Sequence, residues 1–284
     1  MRVLAVGTAT LDIVNRVPVY PREDQELRAT AQQIRHGGNA ANTLEVLSHL
    51  GHQTFWAGCL ASDSSSQQIR SGFHGAGIDE RWARVHPGCV TPTSYILSSE
   101  ATGSRSIVHY RDLPEFEYED FLTIDLSGFD WLHFEGRNPP ATECMLARAR
   151  EVRPDAIRSL ELEKPRPGLE RCLADADVVM LSRVYALSQG CLSAQSLFER
   201  VRSMAPQALL FLAWGDSGGW CQTADGVIVH RPAYRPPRVV DTLGAGDVFN
   251  AGLIHRLRLD WDATAALAFA VRLAGEKCAH TGLV

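Results

Sequence analysis

The chain has 284 residues, 45% hydrophobic and 21% charged, an ordinary globular composition with enough length to bury a large core. A net charge of −5 and the lack of any basic run argue against a nucleic-acid partner. No stretch reaches the roughly 18 apolar residues of a membrane span, and Met1 to Gly7 is too short an apolar run for a signal peptide; the seven scattered cysteines form no CxxC pair, which favours reduced thiols in a cytoplasmic protein over zinc or disulfides.

Val3 to Val6 is a short apolar run ending at Gly7, the pattern of a buried strand that opens into a loop. Residues 8–36 alternate apolar and polar residues around the Tyr20-Pro21-Arg22-Glu23-Asp24 turn and predict strands with one solvated face. Gly37-Gly38-Asn39 breaks that pattern, and Ala40 to Leu50 reads as a helix stopped by Gly51. Phe55 to Leu60 predicts a second buried strand and Ser64 to Gly77 a helix. Residues 88–111 return to the mixed pattern, with Thr91 to Ser98 and Arg105 to Arg111 flanking Thr102-Gly103-Ser104 as a hairpin.

From about residue 120, strand candidates at Trp131–Glu135, Ile157–Glu161, Val178–Leu181, Leu209–Leu212 and Val227–His230 alternate with helical segments. Such alternation implies a parallel sheet covered by helices on both faces. The two mixed segments interrupt it and are read as one small sheet projecting from the main body. Ligands of open parallel sheets sit at the C-terminal ends of the strands. Polar residues gather there: Asp12 after the first strand, Glu135-Gly136-Arg137-Asn138, Glu163-Lys164, Ser182 and Trp214-Gly215-Asp216.

The segment Asp241-Thr242-Leu243-Gly244-Ala245-Gly246-Asp247 carries the most chemistry. Its glycines allow a tight turn close to a ligand. The apolar run Val248 to Leu257 then reads as a helix, whose N-terminus presents free N–H groups and the positive end of a dipole to an anion. Asp247 at that point is either a helix cap or a base that takes a proton from an attacking hydroxyl, and the local pattern leaves both readings open.

Together with Gly37-Gly38-Asn39-Ala40-Ala41-Asn42, this segment resembles the paired motifs of the ribokinase-like (PfkB) sugar kinase family. Glu135-Gly136-Arg137-Asn138, Glu161-Leu162-Glu163-Lys164-Pro165-Arg166 and Pro236-Pro237-Arg238-Val239-Val240-Asp241 are similar to the ketohexokinase branch, over nearly the whole chain. The resemblance implies a three-layer αβα sandwich with a mainly parallel central sheet, a single kinase domain over 1–284, and a lid sheet from about 9–36 and 88–112. It also implies transfer of the ATP γ-phosphate to a primary hydroxyl of a ketohexose such as fructose, with Mg²⁺; other sugars (ribose, tagatose) and nucleosides remain alternatives.

By the same resemblance Asp247 is the base, and Gly244, Ala245 and Gly246 form the hole for the transferring phosphoryl group. Asp12, Gly38, Asn39 and Asn42 hold the sugar, although both asparagines also suit a helix cap. Asp24 reaches the partner's site in a homodimer joined through the lid sheets. Arg105 closes over phosphate, or is a solvated hairpin residue. Glu135 and Lys164 order the nucleotide phosphates, Gly215, Gly218 and Gly219 let the nucleotide approach, and Pro236, Pro237 and Cys278 line the adenine. The histidines, His36, His109 and His133 among them, show no metal spacing and are read as structural or exposed.

The sequence departs from many relatives in one place. An Asn-x-x-Glu motif is replaced by Ser182-Arg183-Val184-Tyr185, which leaves Glu163 as the weak candidate metal ligand, while the six residues after Cys278 leave a K⁺ requirement open. A sugar-binding regulator that has lost turnover is the competing class. A Rossmann dehydrogenase is excluded because no GxGxxG follows the first strand.

Overall fold

The computed structural model describes residues 1–223 and 225–284. Among them the chain runs β1 (Arg2–Val6), β2 (Thr10–Val17), β3 (Ala31–Gly37), α1 (Asn39–His49), β4 (Gln53–Ala61), α2 (Ser64–Gly75), β5 (Ile78–His86), β6 (Thr93–Ser99) and β7 (Arg105–Tyr110). It continues through α3 (Tyr118–Phe121), β8 (Trp131–Phe134), α4 (Pro139–Val152), β9 (Ile157–Leu162), β10 (Val178–Ser182), α5 (Arg183–Ser188) and α6 (Ala194–Arg202). The last elements are β11 (Leu209–Ala213), β12 (Gly219–Gln222), β13 (Ile228–Arg231), α7 (Ala245–Asp260) and α8 (Ala263–Lys277).

Nine strands form one sheet in the order β13-β12-β11-β10-β9-β8-β1-β4-β5. The strands from β11 to β5 are parallel, and β12 and β13 close one edge as antiparallel strands. Strand alternation splits the core in two. Leu4, Val6, Leu132, Leu160, Val179 and Leu210 face one layer with α4, α5 and α6. Val3, Ala5, Trp131, Val178, Met180 and Phe211 face the other with α1, α2, α7 and α8. Both faces are buried, which is why these strands read as continuous apolar runs.

β5 and β12 were not legible as strands. β5 is an edge strand whose residues Asp79, Glu80, Arg81 and Arg84 are mostly half-exposed, so no apolar run marks it. β12 has four residues and begins at Gly219, and it reads as loop.

The second sheet has the order β3-β2-β6-β7, with β6 and β7 pairing as the expected hairpin and β2 running parallel to β6. Two glycine turns tie it in: Gly7 to Ala9 links β1 of the large sheet to β2, and Gly37-Gly38 links β3 to α1. Neither turn tolerates a side chain. A Cβ on Gly7 would lie 2.4 Å from Glu135 Oε2, and one on Gly38, where φ is +103°, would lie 2.0 Å from the Thr8 carbonyl oxygen. All seven cysteines are free, and no helix among the described residues is long and apolar enough to cross a membrane.

Candidate active site

A cleft of ≈ 330 Å³ lies where the C-terminal ends of the parallel strands meet the inner face of the small sheet. The parallel topology puts every strand-end loop on this rim. Asp12, Gly38, Asn39, Asn42, Arg105, Glu135, Glu163, Lys164, Gly244, Ala245, Gly246 and Asp247 all line it, from six separate stretches of chain.

Asp247 stands in the first turn of α7, 7% exposed. Its Oδ2 accepts from Asn42 Nδ2 at 2.6 Å. The helix begins at Gly244 (φ +82°) with no side-chain cap, so the capping reading of Asp247 does not hold. Ala245 N donates to the Thr242 carbonyl at 3.3 Å, while the N–H groups of Gly246 and Asp247, both cleft-lining residues, have no intrahelical partner at the positive end of the dipole. A Cβ on Gly246 would meet nothing within 4 Å, so this residue leaves the approach to those N–H groups open. Burial holds the Asp247 carboxyl well above the ordinary carboxylate range; the Asn42 bond opposes this, and Glu163, Glu135 and Asp12 reinforce it.

The asparagines are not caps either, since α1 starts at Gly38 without a side-chain bond. Asn39 Nδ2 bridges Glu161 Oε1 at 3.0 Å and Glu163 Oε2 at 3.2 Å. Asp12 is 7% exposed, takes a bond from Thr10 Oγ1 at 2.8 Å, and presses so close to Gly37 that a Cβ there would sit 2.2 Å from Oδ2. Glu135 is 6% exposed and accepts from the backbone N–H groups of Thr8 at 2.7 Å and Ala40 at 3.4 Å. It braces the end of β1 against α1 as well as lining the cleft. Burial raises its pKa, and Arg137 opposes the shift.

Arg105 is exposed, yet its side chain is tied down. From β7 its Nη1 donates to Thr242 Oγ1 at 2.8 Å, which ties the small sheet to the turn before α7. Lys164 Nζ lies 3.3 Å from Glu163 Oε1. Ser182, at the position of the absent Asn-x-x-Glu motif, caps α5 and donates to the Glu163 backbone carbonyl, which fixes that glutamate on the rim.

Other expected residues stand outside the enclosed cleft. Gly215, Gly218 and Gly219 form the corner between β11 and β12, where Gly219 packs on Phe249, Leu267 and Val271 of α7 and α8. Pro236 and Pro237 lie on the connection from β13 to α7. Cys278 ends α8, and its carbonyl oxygen accepts from Val240 N at 2.8 Å. Asp24 is an exposed turn residue with φ +63°, in the connection between β2 and β3.

Several cleft residues, Thr8, Thr10, Ser94, Asn250 and Glu161 among them, escaped the sequence reading. Glu161 is 7% exposed, and its Oε2 has no partner. Burial raises its pKa well above the carboxylate range, and Asp247, Glu163 and Glu135 add to the shift. Its place, two residues before Glu163 at the end of a strand, was the available signal. His109 is exposed, as expected, and the alternation of β7 also puts it beside Arg105 and Ile107 on the cleft wall. It contacts Ser94 Oγ at 3.2 Å through Nδ1, and burial lowers its pKa, helped by Arg137 and Arg111. His36 and His133 are buried, as expected of structural residues.

The geometry therefore presents a carboxylate beside an uncapped helix N-terminus, inside a cleft rich in amide and carboxylate groups. The model of the pfkB family carbohydrate kinases matches residues 2–284. The chain belongs to the pfkB family of carbohydrate kinases. A mouse (Mus musculus) ketohexokinase is 37% identical over 99% of this chain and 97% of its own length. An ATP-dependent ribose-1-phosphate kinase from Halopiger xanaduensis is 26% identical over 95% of this chain and 89% of its own. Among solved structures, a ribokinase from Giardia lamblia superposes with a TM-score of 0.84 at 18% identity, covering 99% of this chain and 94% of that one. The chain thus has the ribokinase-like αβα fold of the family and is a phosphotransferase acting on a sugar hydroxyl.

Members of the family use ATP, generally with Mg²⁺. Glu163 and the unpartnered Glu161 Oε2 supply the oxygen donors that a hard cation takes. No group of three or more metal-ligating side chains gathers among the described residues.

Proposed function

We propose that this kinase transfers the ATP γ-phosphate to a primary hydroxyl of a ketohexose such as fructose, in the cytoplasm. One observation carries the reading: a buried carboxylate, Asp247, is held by Asn42 in the first turn of an uncapped helix. Asp247 takes the proton of the sugar hydroxyl, and the hydroxyl oxygen attacks the γ-phosphorus. The bond to the bridging oxygen breaks and ADP leaves. The first N–H groups of α7 neutralise charge on the transferring group, and Arg105 adds a positive charge from the lid. Glu163 and Glu161 would hold Mg²⁺, which would supply further charge neutralisation on the phosphates.

Asp12, Asn39 and Asn42 present the mixed donors and acceptors that sugar hydroxyls need. No Phe, Tyr or Trp lines the cleft among the described residues, which disfavours a nucleoside. A phosphorylated sugar is the second reading, because Arg137 and Lys164 line the cleft. Glu115 lies 3.0 Å from Arg137 and Glu163 lies 3.3 Å from Lys164, so both cations are already matched and a neutral sugar is preferred.

The small sheet supports a homodimer. Ile34, Ile13, Tyr95 and Val108 are consecutive partners across its four strands, on the face turned away from the cleft. Ile34, Tyr95 and Val108 are 51%, 52% and 70% exposed. An apolar row of this kind calls for a cover, and a second copy of the sheet provides one. In that arrangement Asp24 reaches the neighbouring site.

ADP release with Mg·ATP and a panel of fructose, tagatose, ribose, ribose 1-phosphate and adenosine tests the reading. Turnover on a ketose that disappears in Asp247→Asn supports it; turnover only on another acceptor replaces the substrate assignment.

A further inference from the structure

Of the 28 basic residues, two are lysines, Lys164 and Lys277. Lys164 lines the cleft. Lys277 is the last residue of α8 and is 2% exposed. A fully buried ammonium is costly unless it is paired and hydrogen-bonded, so its surroundings have to account for it.

All of its polar contacts go to one residue. Lys277 Nζ donates to the Asp241 backbone oxygen at 2.7 Å and lies 3.1 Å from Asp241 Oδ2. The same carboxylate accepts from Leu243 N through Oδ1 at 2.8 Å, which folds the turn that leads into α7. The neighbouring Cys278 carbonyl oxygen accepts from Val240 N at 2.8 Å and from Asp241 N at 3.4 Å. Thr242 receives Arg105 from above, and Leu283 fills the space beside Gly244. The turn before the helix is thus gripped from below by the end of α8 and from above by the small sheet.

An ammonium suits this place because it is a compact point charge with three donors, able to sit between a carbonyl and a carboxylate. A guanidinium is planar and needs more room. A chain that uses arginine almost everywhere else keeps lysine here.

We propose that Lys277 is a positioning residue for phosphoryl transfer: its buried ammonium fixes the turn from Asp241 to Gly244, and so holds the N-terminus of α7 against the transferring group. The proposal rests on reading that N-terminus as the phosphoryl site.

The test compares Lys277→Met, the neutral double variant Asp241→Asn with Lys277→Met, Lys277→Arg and Lys277→Ala, all in the full chain. In Lys277→Met, kcat per folded molecule falls roughly 10- to 100-fold while the KM for sugar moves less than about threefold, as expected when only the reacting geometry is disturbed. The double variant, which leaves no unpaired charge, folds and stays slow. Lys277→Arg does not restore the rate, whereas propylammonium, which replaces the missing side-chain atoms, restores Lys277→Ala about tenfold. Amide hydrogen exchange at residues 242–246 quickens in Lys277→Met while β1 and β9 stay protected. Wild-type kcat in the folded variants, or a loss that follows only the unfolded fraction with unchanged exchange and no rescue, overturns the proposal. If the wild type phosphorylates no sugar, the proposed function falls by itself, and the exchange at 242–246 still decides whether Lys277 holds the turn.

Discussion

Asn42 Nδ2 donates to Asp247 Oδ2 across 2.6 Å, so the first turn of α1 grips the first turn of α7 over a separation of 205 residues. This bond aims one carboxylate oxygen at Asn42 and leaves Oδ1 for a substrate hydroxyl. Asp247→Asn keeps the shape and the contact with Asn42 but removes the base. It is expected to bind ATP nearly as well as the wild type and to turn over roughly 10²- to 10⁴-fold more slowly. Normal turnover by this variant ends the base assignment.

The pH profile follows from the same burial. The raised pKa of Asp247 means that the protonated, inactive form persists above the ordinary carboxylate range. On the acid side, kcat/KM is expected to fall as pH drops through that raised value, well before an exposed aspartate would protonate. A rate that holds constant down to about pH 4, the pKa of an unperturbed carboxylate, contradicts this.

Glu161 makes a stability prediction of known sign. Its folded pKa lies above the unfolded one, so folding favours the protonated form. Between the two values the native state holds a proton that the unfolded chain has lost, and stability falls as pH rises. Glu161→Gln keeps the oxygen that meets Asn39 and carries no charge. Its melting temperature should exceed that of the wild type by a few degrees at pH 8, with the gap closing toward pH 4. Thermal melts across this range check it, and a variant less stable at pH 8 contradicts it.

Arg105 meets the turn before α7, at Thr242, from the small sheet. Arg105→Ala should lower kcat/KM for ATP by roughly 10²-fold, as for loss of one charged donor at a transition state, with little change in the affinity for sugar measured by calorimetry. Equal loss for both substrates points instead to a lid that no longer closes.

The apolar row across the small sheet predicts the oligomer. Tyr95→Glu places a charge in its centre and should give a monomer by analytical ultracentrifugation at micromolar concentration. In the monomer the role given to Asp24 is lost as well, so Asp24→Ala should cost nothing further in that background. A wild-type monomer removes the basis for both statements.

Much of the site was legible because its residues lie in turns that the sequence punctuates with glycine: Gly37-Gly38 before α1 and Gly244-Ala245-Gly246 before α7. Buried parallel strands were legible for a related reason, since both faces are covered and the apolar run is unbroken. β5 hid because it is an edge strand with a polar flank, and β12 because its glycine start looks like a loop. His109 and Lys277 hid for another reason. Nothing in their local sequence says which face of β7 meets the cleft, or that the end of α8 folds under Asp241. Pairing register and packing decide those points, and neither is local.

The separation between Asn42 and Asp247 also bears on how the protein is made. The residues proposed to hold the sugar are complete within the first 42 positions, while the base and the anion-binding turn arrive after residue 240. Folding during synthesis proceeds from the N-terminal end. α1 must therefore wait on the ribosome, with its contact face for α7 uncovered, until nearly the whole chain has emerged. Contacts of such long range form slowly. A nascent chain stalled before α7 would display that apolar face to chaperones, and catalytic competence would appear only as the last forty or so residues dock.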